Sequence, residues 1–348
     1  MIEKITVELG DRSYDILIGA GVRELAEHSA LLVTDSNINE LYGSWAVKKA
    51  DMKYVFPAGE ENKNIQTIAD ICSFAARGHL SRKSTMAALG GGVTGDMTGF
   101  AAAIYMRGID FIQIPTSLLA MVDSSVGGKT AVDIPEGKNL IGAFHQPRQV
   151  LIDTDFLKTL PLKEIRCGLA EIIKTGVILD ENLFTELEKS PETLTTAPDY
   201  DRYTPIIRRC CELKAQVVAT DEKEGGIRAI LNYGHTFGHA FELLSNFQLS
   251  HGDGVALGMC AAGEYAVLDG LWTREEALRQ KKAIAALGLP VELTAKYNSS
   301  DVIHAMLGDK KSASGKINLV LPTRIGHVEI IKDASAEKIA RAVESIYA

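Results

Sequence analysis

The sequence predicts an α/β domain followed by a mainly helical one, on three observations. Short apolar runs alternate with helical periodicities as far as about residue 160. Within that half, a strand feeds the glycines Gly90, Gly91 and Gly92 and then a helix. From Leu162 to about Gly308 the periodicity is helical, with little β signal. At 348 residues, 46% apolar and 24% charged, the chain has material for two globular domains of ordinary size.

The first half is justified element by element. Residues 1–8 alternate polar and apolar and carry acid early, which reads as a strand and not as a secretory leader. Residues 30–35 form an apolar run ending in Asp35, Ser36 and Asn37, at the kind of strand end where open α/β sheets bind ligands. An extended piece over 53–57 leads to the polar loop 58–63, and a helix follows over 65–78. The strongest element is 86–96 running into 97–103. Without side chains at its turn, backbone amides and a helix N-terminus can approach a diphosphate. The register is not Gly-x-Gly-x-x-Gly, and a tight turn with close helix–sheet packing is the structural alternative. Residues 110–117 read as a buried strand ending in the hydroxyls of Thr116 and Ser117. It opens onto two glycine-rich loops, 122–130 and 137–147, whose Lys129 and Lys138 suit a phosphorylated or carboxylated ligand. Gly127-Gly128-Lys129-Thr130 lacks the leading glycine of a P-loop and does not follow directly on a strand, which excludes the ATP reading. Residues 148–153 make the last strand.

The helical half carries charge where apolar residues would serve. Glu171 and Lys174 stand three apart in the apolar stretch 168–174. An intrahelical ion pair is one account, but burying it gains little over an apolar replacement, so a chemical task is the other. A helix over 203–219 bears Lys214. Arg228, Asn232, His235 and His239 follow at helical spacing, which predicts one face with a guanidinium, an amide and two imidazoles. Three of the eight histidines lie between 232 and 254. By spacing, His235 and His239 form a metal-binding pair completed by His251 or Glu242; core or capping histidines satisfied by hydrogen bonds are the alternative. Glu171 beside two imidazoles would give a catalytic zinc site with one open position. Residues 317–331 read as a small hairpin preceded by Asp309-Lys310-Lys311, and 335–346 as a closing amphipathic helix.

A net charge of −8 argues against nucleic acid as the main partner, and no apolar run reaches membrane length. Cys72, Cys167, Cys210, Cys211 and Cys260 are odd in number, lack a Cys-x-x-Cys and sit in helical patterns, as reduced core thiols of a cytoplasmic protein would.

Five of these stretches, 90–96, 122–130, 138–144, 168–174 and 231–239, occur in the order found in the 3-dehydroquinate synthase family of sugar-phosphate cyclases, and the chain resembles that family over nearly its whole length. The resemblance implies a Rossmann-like NAD-binding domain over 1–160, a helical metal- and substrate-binding domain over 161–348, an active site between them and a homodimer. It moves the metal ligands, for zinc or cobalt, to Glu171, His235 and His251, and turns His239 to the substrate phosphate. The implied NAD contacts are Asp35, Asn37, Glu60, Lys63, Gly91, Gly92, Val93, Asp96, Thr116, Ser117, Lys129, Lys138 and the turn Phe156, Leu157, Lys158 and Thr159. Asp123, Lys129, Asn139, Lys174, Lys214, Glu224, Arg228, Asn232, His239 and Lys311 form the implied substrate and catalytic set, with Arg107 reaching across from the other subunit. The implied reaction, on the shikimate route to chorismate and the aromatic amino acids, converts 3-deoxy-D-arabino-heptulosonate 7-phosphate to 3-dehydroquinate and phosphate. NAD transiently oxidises carbon 5, phosphate is eliminated and can itself take the proton, the hydride returns, and the opened ring closes by an aldol step. Other members of the superfamily, such as 2-deoxy-scyllo-inosose synthase, and iron-type polyol dehydrogenases are the rival readings. One departure stands out. The family usually writes His-Gly-Glu-Ala-Val at the third ligand, and this chain has His251-Gly252-Asp253-Gly254-Val255, a change expected to loosen the groups behind the metal ligand.

Overall fold

The computed structural model describes residues 2–308 and 316–348. Its strands in chain order are β1 (Glu3–Val7), β2 (Tyr14–Ile18), β3 (Ser29–Asp35), β4 (Ala50–Phe56), β5 (Thr85–Gly90) and β6 (Asp110–Pro115). They continue with β7 (Lys129–Ile134), β8 (Gly137–Phe144), β9 (Gln149–Ile152), β10 (Leu319–Arg324) and β11 (His327–Ile331). The helices are α1 (Ser36–Ala46), α2 (Ile65–Arg77), α3 (Gly92–Ile104), α4 (Leu162–Leu179), α5 (Glu181–Glu188) and α6 (Tyr203–Thr220). After these come α7 (His235–Leu244), α8 (His251–Leu268), α9 (Arg274–Ala286), α10 (Ser299–Gly308) and α11 (Ala336–Glu344).

The first unit comprises Met1–Leu160 and Tyr203–Lys223; the second, Pro161–Arg202 and Glu224–Ala348. This corrects the expectation of a single division after residue 160. The reason is α6, whose buried face, including Ile206, Ile207 and Cys210, returns to pack on β1, β2 and the helical turn Ala120–Ser124.

In the first unit a sheet of seven strands runs in the order β1-β2-β9-β6-β5-β3-β4. Only the β1–β2 pair is antiparallel. β5 is buried along nearly its whole length, as a strand covered on both faces must be, which explains its unbroken apolar run. β4 lies on one side of β3 and β5 on the other, so the chain reverses its direction of sheet growth between β3 and β5. Such a switch point opens a crevice at the carboxyl ends of the strands. Residues 122–130 and 137–147 are not two loops. The first begins in the turn Ala120–Ser124, and β7 pairs antiparallel with β8 in a separate hairpin.

The second unit is organised around α8, which is apolar on all sides and packs against α4, α7, α9, α11 and β10. Ser250 caps it, accepting from the amide of Asp253, while its hydroxyl reaches the Asp253 carboxylate at 2.6 Å. α7 and α8 approach so closely that a methyl group at Gly258 would lie 1.9 Å from the Gly234 carbonyl oxygen. No helix among the described residues is long and apolar enough to cross a membrane.

Gly258→Ala therefore forces α7 and α8 apart, and denaturant titration should show a loss of about 1–3 kcal/mol or more. All five cysteines are thiols. Burial pushes Cys167, Cys211 and Cys260 up to about 12. The folded protein should therefore resist a thiol reagent at pH 8 at these positions and react at all of them once denatured.

Candidate functional site

The implied nucleotide residues gather at the carboxyl edge of the sheet, on both sides of the switch point. Asp35, at the end of β3, caps α1 by accepting from the amides of Asn37 and Ile38, each at 3.0 Å, and takes the Thr94 hydroxyl at 3.3 Å on its other oxygen. Gly90 ends β5, Gly91 caps α3, and Gly92 and Val93 open that helix, so the glycine turn presents an uncovered helix N-terminus. A methyl group at Gly91 would meet the Ser117 hydroxyl at 3.4 Å, and one at Gly92 the Ser124 hydroxyl at 3.1 Å. The Thr116 amide donates to the Gly90 carbonyl, which joins the ends of β5 and β6. Glu60 lies in the short turn Glu60–Asn62.

Lys63 is buried, with its ammonium 2.6 Å from both the Asp96 carboxylate and the Asn139 side-chain oxygen. Burial opposes the charge, yet Asp96 and Glu60 hold the Lys63 pKa above the ordinary lysine value. Asn139 adopts φ +53° on β8, and its amide donates to Asp133 at 2.7 Å. Lys129 and Lys138 are exposed on the hairpin. In the helical segment Thr154–Thr159, the Phe156 and Leu157 side chains are core residues, Lys158 pairs with Asp155, and Thr159 bonds the Tyr42 hydroxyl at 2.6 Å. Only the backbone of Phe156 and Leu157 is left to meet a ligand. Lys214, on α6, donates to the carboxylate and the carbonyl of Asp123, each at 2.6 Å. Arg107 is exposed at φ +70°, in the turn after α3.

The metal candidates lie in the second unit. Glu171 (α4), His235 (first residue of α7) and His251 (first residue of α8) offer ligand atoms all within 4.8 Å of one another. Lys174 pairs with Oε2 of Glu171, while Nε2 of His235 and Nε2 of His251 lie 3.5 and 3.3 Å from its Oε1. Burial works against the Glu171 charge, but Lys174 holds its carboxyl well below the usual range. Burial, then Lys174, also drives His235 well below the ordinary imidazole value, so it is neutral at physiological pH. Its Nδ1 lies 3.1 Å from the Tyr233 carbonyl, an acceptor that a proton on Nδ1 would satisfy. With the proton there, Nε2 of His235 presents a lone pair towards Oε1 of Glu171, 3.5 Å away. Two acceptors facing each other in a buried pocket repel, and a cation between them turns the repulsion into coordination. Nδ1 of His251 lies 3.1 Å from Oε1 of Glu242; burial opposes its charge, but Glu171 and Glu242 push its pKa up to about 10, so a metal ion would have to displace the proton on Nε2. This donor set fits a divalent ion of the zinc type.

His239, Glu242 and His251 form a second group of the same reach. That set holds His239 with both residues expected to complete the site but leaves out His235, so neither group joins the His235–His239 pair expected from spacing. The expectation of one continuous face is corrected as well. Ile227–Asn232 is a 3-10 segment, and Tyr233 with Gly234 at φ +76° breaks it from α7. Arg228 is buried within that segment, and Asn232 donates to Glu224 at 2.9 Å, Glu224 itself standing at φ +59°. His239 packs edge-on against His235, with ring centroids 5.4 Å apart. Asp309, Lys310 and Lys311 lie outside the described residues. Sequence reasoning missed the Tyr233 carbonyl, Asp133 and Tyr42; the first carries no side-chain signal at all.

The chain matches the families described as 3-dehydroquinate synthase N-terminal, over residues 53–167, and 3-dehydroquinate synthase C-terminal, over residues 168–312. It is 47% identical to the 3-dehydroquinate synthase of Crocosphaera subtropica (strain ATCC 51142 / BH68), with 99% of this chain and 100% of that one covered. Its structure is similar to that of 2-epi-5-epi-valiolone synthase from Streptomyces hygroscopicus subsp. jinggangensis 5008, solved with NAD+ and Zn2+ bound. The TM-score is 0.89 at 27% identity, covering 97% of this chain and 98% of that one. The fold is also that of 2-deoxy-scyllo-inosose synthase solved with carbaglucose-6-phosphate, NAD+ and Co2+, at TM-score 0.87 and 24% identity over 97% of this chain and 100% of that one.

Glu171→Gln and His235→Ala should each weaken zinc binding by roughly 100-fold or more, beyond the tenfold to 100-fold typical of an outer partner, in competition with a chromophoric chelator. His239→Ala should leave it near wild type. The reverse pattern would move the ion to the His239, Glu242 and His251 set.

Proposed function

Because the chain belongs to the 3-dehydroquinate synthase family, we propose that it converts 3-deoxy-D-arabino-heptulosonate 7-phosphate to 3-dehydroquinate and phosphate, with NAD and a divalent metal ion as its resident cofactors. The observation that carries the reading is the buried carboxylate of Glu171 faced by Nε2 of His235 and of His251, with Lys174 on its other oxygen. A silent binding protein has no use for so costly an arrangement.

NAD is assigned to the carboxyl edge of the first unit. Amides of the Gly91–Val93 turn would bind its diphosphate and Asp35 its ribose hydroxyls. Glu171, His235 and His251 would hold the ion, zinc or cobalt. When bound, these two groups supply reversible hydride acceptance and Lewis acidity at the alcohol.

The remaining roles belong to side chains of the chain itself. Lys174 and Arg228 offer fixed positive charge to the substrate's carboxylate and phosphate, and Lys129 and Lys214 add to it. Asn139 and Asn232 donate to hydroxyls, and His239 meets the phosphate. Asp123 orients Lys214 from 2.6 Å, and Glu224 orients Asn232 from 2.9 Å. The proton removed beside the oxidised carbon goes to the departing phosphate of the substrate itself.

A homodimer that delivers Arg107 to its neighbour is part of the same proposal, supported by the exposed Ile104 and Met106 beside that arginine. A cytoplasmic location is supported by the five thiols. The cation set favours a phosphorylated substrate over that of a polyol dehydrogenase, and the 47% identity to a 3-dehydroquinate synthase favours this product over that of other cyclases.

Purified protein given the heptulosonate phosphate and NAD should release phosphate and 3-dehydroquinate with no net NADH. A strong chelator should stop the release, and added zinc or cobalt should restore it. NADH accumulation, or no phosphate release, would overturn the assignment.

A further inference from the structure

The His251 ligand is held from behind by Glu242, which itself lies over a glycine where the family usually has alanine. Glu242 is 3% exposed, at the C-terminal turn of α7, and its Oε1 lies 3.1 Å from Nδ1 of His251. A buried carboxylate at a helix C-terminus opposes both desolvation and the helix dipole, so its position needs a compensating partner. His251, at the start of α8, is that partner. A methyl group at Gly254 would sit 2.9 Å from both Cγ and Oε1 of Glu242 and 3.2 Å from the Gly238 carbonyl oxygen. The carboxylate has little room to withdraw, because α7 is pressed onto α8 along this line: a methyl group at Gly238 would meet the Gly254 carbonyl at 2.7 Å.

We propose that Gly254 sets the seat of Glu242, and that Glu242 acts through that seat as a positioning residue fixing the ring and tautomer of the metal ligand His251. The departure at 253–254 thus does the opposite of loosening the site. Asp253 is engaged with the Ser250 cap, and Gly254 admits the carboxylate to the imidazole. The inference rests on the metal assignment made above.

Zinc affinity of the metal-free chain is measured by chelator competition for wild type, Gly254→Ala, Glu242→Gln and the double variant. Thermal unfolding of the metal-free forms and the visible absorption of the cobalt forms accompany it. Gly254→Ala, although it restores the residue the family usually carries, should weaken zinc roughly tenfold to 100-fold, as should Glu242→Gln. Both should shift the cobalt ligand-field bands, with unfolding temperatures near wild type. The double variant should be no weaker than Glu242→Gln alone, because the methyl group acts only through the carboxylate. Gly254→Ala with wild-type affinity, or a double variant showing the product of both losses, overturns the inference. Should Gly254→Ala fail to fold, Glu242→Gln still decides: unchanged affinity and unchanged cobalt bands overturn the inference, and a loss with shifted bands supports it. Wild type that binds no zinc overturns the metal assignment and this inference with it; wild type that binds tightly while the variants match it overturns this inference alone.

Discussion

A buried carboxylate facing an imidazole nitrogen is the constraint from which the second unit follows. Every element near it fixes one of the two partners. α4 brings Glu171 with Lys174 one turn on, so that one carboxylate oxygen is neutralised and the other faces the two imidazoles. The Tyr233 carbonyl holds Nδ1 of His235, and Glu242 holds Nδ1 of His251. α7 and α8 must then meet at their first residues, and the run of glycines along their contact lets the backbones approach near enough. The cost of burying charge is repaid only when a cation completes the set.

In the proposed assignment the first unit meets a different problem, that of holding a polyanionic nucleotide without a fixed countercharge on the glycine turn. Backbone amides and a helix N-terminus face the crevice, and the buried Lys63 is spent on Asp96 and Asn139. That interaction joins the short turn after β4, the start of α3 and the tip of the β7–β8 hairpin. A residue implied as a cofactor contact is thus also what ties three pieces of the crevice wall together. The same double use recurs at Asp35, which caps α1 while it stands at the end of β3.

Much of this was legible in the sequence, and the gaps have physical causes. Glu171 and Lys174 stood out because ionised groups inside an apolar helix need a reason. The glycine turn stood out because only a close approach calls for so many missing side chains. The pairing of His235 with His239 misled because spacing assumes an unbroken helix and says nothing of the nitrogen each ring presents; the ligand partner of His235 lies on α4, more than sixty positions earlier. β7 and β8 read as loops because glycines and lysines interrupt the alternation, and β8 is exposed along most of its length. Periodicity marked 203–219 as a helix but not which sheet it covers. The Tyr233 carbonyl was invisible, since every residue carries one.

The return of α6 to the first unit bears on how the polypeptide matures during synthesis. The sheet emerges from the ribosome well before the helix that covers β1 and β2, and about forty residues of the other unit are made in between. Until that helix arrives, the nascent sheet shows an apolar face to its surroundings and lacks Lys214. Neither unit corresponds to one uninterrupted stretch of the gene, so domain swapping by simple cut and splice would carry away a piece of its neighbour.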